Sequence, residues 1–145
     1  MSNKTKEERV MSVLIAAMNE AGVVPSALGT VRLEDETKEV RHNSMVVCVE
    51  DADEHAALDG VWNMNGVIRI YIKEVKNVND EVRREWLGDV EAWLDDGNLL
   101  NQVNDVDECV QFFELEVTGA AEWSSEDRSI WGDVTWSAVV EVTSN

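Results

Sequence analysis

A chain of 145 residues with 44% hydrophobic content can bury one core without metal or disulfide staples, so a single domain over 1–145 is expected. Its 30 acidic against 12 basic residues give a formal net charge of −18, a field that repels phosphates and argues against an ordinary nucleic-acid-binding or anionic-membrane role. No apolar signal peptide and no spanning run of about 18 residues is read in the sequence, so Cys48 and Cys109 are expected to be reduced thiols of an intracellular protein.

The charge is unevenly spread: residues 1–84 hold 15 acidic and 11 basic side chains, whereas 85–145 hold 15 acidic ones and Arg128 as the sole base. An anionic half of this kind reads as a solubility surface, as the wall of a conduit to which DNA does not stick, or as an imitation of DNA.

In chain order, a first helix begins near Asn3 to Thr5, any of which can cap it. It carries Val10, Leu14, Ala17, Met18 and Ala21 on one face, widened by Met11 and Ile15. Gly22 is its natural stop, and Pro25 disfavours a helical Val24. From Ser26 to Ser44 the apolar period is lost, which predicts a long loop with a short strand at Thr30–Leu33. Met45 to Val49 reads as a buried strand with Cys48 in the core. Val61 to Val75 is the expected central strand, since Ile68, Ile70 and Ile72 alternate with Val67, Arg69, Tyr71 and Lys73. Asn65-Gly66 within it predicts a tight turn or a bulge.

A second helix opens at Asn79 or Asp80, with Val82, Trp86, Val90, Trp93 and Leu94 on one face and Leu87 beside it. Gly97 is expected to end it after Asp95-Asp96, two acids set against the negative end of the helix dipole. The stretch 99–110 reads as a bridge. Val110–Thr118 then reads as a strand with Phe113, Leu115 and Val117 inward. Val134–Thr143 pairs with it as an antiparallel hairpin, with Val134, Trp136, Ala138, Val140 and Val142 inward. Between them, residues 119–132 read as a polar loop. Its Trp123 and Trp131, with Arg128 between them, are the candidate interface residues, because large aromatics among polar neighbours need a cover.

Sites for chemistry are weak. Asp51, Asp53 and Asp59 suggest a calcium loop, but counting from Asp51 the sixth position is Ala56 and the twelfth Trp62, where glycine and glutamate are required. His42 and His55 have no metal-ligand spacing with the cysteines, and neither cysteine sits in a nucleophile motif. No catalytic residue, metal or cofactor is therefore expected, and the chain is read as non-enzymatic.

The pattern predicts an α+β fold with element order α-β-β-α-β-β: a four- to five-stranded mixed or antiparallel sheet with two amphipathic helices on one face. This order, with the VVCV strand, VIRIYIK, the Trp-bearing helix REWLGDVEAWL and a terminal pair running from FELEVTG to WSAVVEVTSN, resembles the tail terminator, or tail-completion, family of long-tailed bacteriophages. The resemblance spans nearly the whole chain through texture and order, without an invariant signature. It implies a structural virion protein at the head-proximal end of the tail, assembled in the host cytoplasm into a homo-oligomeric ring, commonly hexameric. Such a ring ends tail-tube polymerisation and meets the tail tube protein and the head connector protein, with no membrane and no sequence-specific nucleic acid as partner. The alternative is an acidic DNA mimic that inhibits a host DNA-binding enzyme. Net charge favours the mimic, and the well-alternated, less acidic first half opposes it.

Overall fold

The computed structural model describes residues 5–26, 28–33, 43–72, 80–119, 122–126 and 129–143. Helix α1 spans Lys6–Ala21 and both of its ends are set locally. The Thr5 hydroxyl accepts from the Glu8 N–H at 3.2 Å, and Gly22, at φ 74°, lets its own N–H reach Asn19 O while Val23 N–H reaches Met18 O. Burial pushes the Glu7 carboxyl up, but hydrogen bonds from Lys6, its own backbone N–H and Thr5, with the Lys6 charge, hold it below the ordinary 4.5.

The remaining elements are β1 (Gly29–Leu33), β2 (Ser44–Glu54), β3 (Val61–Ile72), α2 (Asp80–Leu94), α3 (Leu99–Asn104), β4 (Val110–Val117), β5 (Glu122–Glu126) and β6 (Ser129–Val142). The sheet order is β1-β2-β3-β6-β4, and β5 pairs with β6 as well. β2, β3, β6 and β4 form an antiparallel set, and β1 lies parallel to β2 at one edge. β6 is long enough to pair with β3 from Ile130 to Glu141 on one side, while its other side is shared end to end by β5 and β4.

One sheet face carries Met45, Val47, Met64, Ile68, Ile70, Ile72, Val134, Trp136 and Val140. These join α1 (Leu14, Met18), α2 (Leu87, Val90, Trp93) and α3 (Leu99, Val103) in a continuous core. β3 therefore occupies the central position that its alternation predicts. Side-chain tethers fix the helices: Arg9 Nη1 donates to Thr143 O at 2.7 Å, and Trp93 Nε1 donates to Gln102 Oε1 at 2.9 Å, joining α2 to α3.

The fold is α+β as read, but several details differ. Between β3 and β4 stand two helices, since Leu99–Asn104 is α3 rather than an irregular bridge. Residues 122–126 and 129–133 are not loop: they pair and prolong the terminal hairpin. β2 runs on to Glu54, past the expected Val49, and its register with β3 shifts between Val49 and Asp51. Asn65-Gly66 is therefore neither turn nor bulge, and the extra residue is on the partner strand. A second shift, between Phe112 and Glu114, changes the parity of β4 ahead of it, so that Val110 and Phe112 face inward, while Leu115 and Val117 keep the expected inward parity. Phe112 is buried and Phe113 is 51% exposed, so Phe113 is not a core residue. Ala21 is exposed and Val13 is buried, while Val49, Trp86 and Val117 are only partly covered. Arg83, 7% exposed in α2, is a buried cation that the apolar period does not reveal. Lys73, Val75, Asn79 and His42 lie outside the described residues.

Candidate interaction surface

The helices cover one face of the sheet; the other face carries the opposite parity of each strand. There, Arg69 of β3 lies across from Asp133 of β6, and Tyr71 across from Trp131. Arg69 Nε donates to Asp133 Oδ1 at 2.6 Å and its Nη2 to Oδ2 at 3.0 Å, a two-pronged pair that fixes the guanidinium against the carboxylate. The same guanidinium carbon lies 5.8 Å from the centroid of the Trp131 ring, which is half-buried. Both Arg69 and Asp133 keep part of their side chains in water, so the pair contributes no more than about 1 kcal/mol to stability and more to orientation.

Beside this pair is a hollow of about 390 Å³ lined by Val46, Cys48, Glu50, Val67, Arg69, Asp133 and Thr135. Its groups offer an apolar floor, a fixed cation–anion pair and a hydroxyl, with no histidine among the described lining residues. Chemically that set can orient and hold a neighbour. Cys48 lines this hollow, half-buried, instead of sitting in the main core. Among the described residues, no three His, Cys, Asp or Glu side chains gather as a metal-ligand set.

The candidate interface residues divide. Trp131 belongs to this open face of β6. Position 123 pairs with Gly132 and position 131 with Ser124, so the two tryptophans occupy register positions of opposite parity in one hairpin. Arg128 lies outside the described residues. His55 is at the turn after β2, where its Nδ1 accepts from the Ala57 N–H at 3.2 Å, a turn-stabilising role. The Arg69–Asp133 pair is the feature that sequence reading missed, although both residues stand at polar-parity positions of strongly alternating strands. Only the β3–β6 register, which no local pattern states, puts them opposite each other.

No known protein-family description matches the chain, and no curated protein sequence matches it either. No helix among the described residues is long and apolar enough to cross a membrane.

Proposed function

We propose that this chain is a non-enzymatic structural protein of a bacteriophage virion, of the tail terminator kind, that assembles into a ring at the head-proximal end of the tail. The observation that carries this reading is the one-sided sheet: helices cover one face, while the other keeps Trp131, Tyr71 and the Arg69–Asp133 pair at a partly open surface. Aromatic and arginine side chains on such a face are the usual anchors of a subunit contact. The long β5–β6 hairpin adds reach. In a ring, the anionic residues of 85–145 give phosphates a wall to slide past. The tail tube protein and the head connector protein are the partners this role requires.

The test is the mass in solution by light scattering, for the native chain and for the Trp123→Ala/Trp131→Ala double variant, with and without purified tail tubes. A closed oligomer that forms at moderate salt and is lost in a folded double variant supports the ring. A chain that stays monomeric, and instead binds a basic DNA-binding enzyme with affinity falling steeply as salt rises, is a DNA mimic and overturns it.

A further inference from the structure

α1 packs on β1, β2, β4 and α3, whereas α2 packs on β3, β4 and β6. The two long helices thus cover different parts of the sheet, and between their C-terminal ends and α3 lies a groove of about 1020 Å³. Its floor exposes small apolar side chains, Ala16, Ala21 and Ala92, with Val106 41% exposed at one side. Trp93, pinned to Gln102, closes the base. Small residues let another backbone approach closely, and an exposed valine beside them is apolar surface awaiting a cover.

The rim is of one sign. Glu20, Asp89, Asp96 and Asp105 surround the groove, and among the described residues no lysine or arginine lines it. The helix ends add to this field: α1, α2 and α3 all finish at the groove, and none carries a basic residue in its last turn. Each such end presents roughly half a negative charge from its outward carbonyls. A second copy brings its own −18 to the contact, so charge disfavours it as the occupant.

We propose that this groove is a docking site for a basic, apolar-faced segment of another protein, whose lysines or arginines meet the four carboxylates while its apolar side chains cover Ala16, Ala92 and Val106. The inference stands apart from the ring reading, because the groove is built within one chain and is read by a titration that does not require assembly.

The probe is a synthetic lysine–leucine peptide of about five helical turns with leucines at helical period, compared with an all-lysine peptide of equal charge. Binding is followed by amide shifts in nuclear magnetic resonance. The amphipathic peptide is expected to bind more tightly, with shifts centred on Ala16, Ala92 and Val106. Asp89→Asn/Asp96→Asn/Asp105→Asn should weaken it roughly tenfold, the sum expected of three exposed ion pairs. Asp53→Asn/Glu54→Gln/Asp59→Asn, equal in charge but on the β2–β3 hairpin, should change it by no more than about twofold. Ala92→Trp, at an exposed helix position, fills the groove without altering charge and should abolish binding at an unchanged melting temperature. Equal losses from both neutralised sets, equal binding of the all-lysine peptide, or shifts elsewhere overturn the proposal. So does peptide-free self-association that the groove neutralisations abolish, which would assign the groove to a second copy.

Discussion

Gly66 is where a single hydrogen atom decides the sheet. It pairs with Val49 on one side and Trp136 on the other, and a methyl group there would collide with the Cys48 carbonyl oxygen and lie 2.7 Å from Trp136 Cζ2. Trp136 is fully buried, and its indole N–H has no hydrogen-bond partner among the described residues, so its seat is defined by fit alone. Gly66→Ala must therefore displace backbone or a core indole, and a loss of about 3 kcal/mol or more is expected in urea unfolding. Gly88 gives the contrast. It is exposed within α2, and an added methyl meets nothing within 4 Å. Gly88→Ala should raise stability by about 0.5–1 kcal/mol by removing backbone freedom from the unfolded chain. A Gly66→Ala protein as stable as the native one would mean that the indole does not lie against this glycine.

At the scale of elements, β4 ends the sheet, and one side chain satisfies its backbone at Phe112. Asn104 Nδ2 donates to Phe112 O at 3.0 Å, and Asn104 Oδ1 accepts from Phe112 N–H at 2.6 Å, so the amide stands in for a neighbouring strand. Gln111 Nε2 adds bonds to the carbonyls of Asn104 and Asp107, both at 3.2 Å. Asn104→Ala leaves two backbone groups of an edge strand without this partner, which costs about 1–3 kcal/mol, and leaves that part of the edge ready to pair with another chain. The variant should melt earlier and show concentration-dependent association by light scattering. A monomer with native stability would make the amide incidental. The same contact explains what the sequence makes legible. α1 is readable because its period and both its punctuating residues, Thr5 and Gly22, are local. The slip at Phe113 is not, because the residue that holds Phe112 lies eight positions earlier on α3. β5 reads as loop for a related reason: EWSSE has little apolar alternation, and it becomes strand because the far end of β6 offers unpaired groups. Of the candidate site, the aromatic Trp131 was legible and its partners Arg69, Asp133 and Tyr71 were not, since pairing across strands is set by register.

For the whole molecule, a formal charge of −18 on 145 residues acts against the compact state, because folding brings like charges closer than the unfolded chain does. Two of the places where the described structure gathers exposed carboxylates are Asp51, Asp53, Glu54 and Asp59 around the β2–β3 hairpin, and the rim between the helix ends. Repulsion of this kind is screened over a Debye length of about 30 Å at 0.01 M salt and about 10 Å at 0.1 M. Sodium chloride should therefore raise the melting temperature by several degrees, with most of the gain below about 0.2 M and little above it, since relief of about 1 kcal/mol moves the midpoint of a domain this size by about 2–8 °C. Sodium sulfate at matched ionic strength should follow the same early rise and then continue upward, because exclusion from apolar surface adds a steady increment that screening does not. A sodium chloride curve that climbs without levelling would assign the stabilisation to surface exclusion and not to charge. Repeating the scans over a tenfold range of protein concentration separates folding from assembly: a midpoint independent of concentration places the screened repulsion within one chain, and a midpoint that rises with concentration places it between chains.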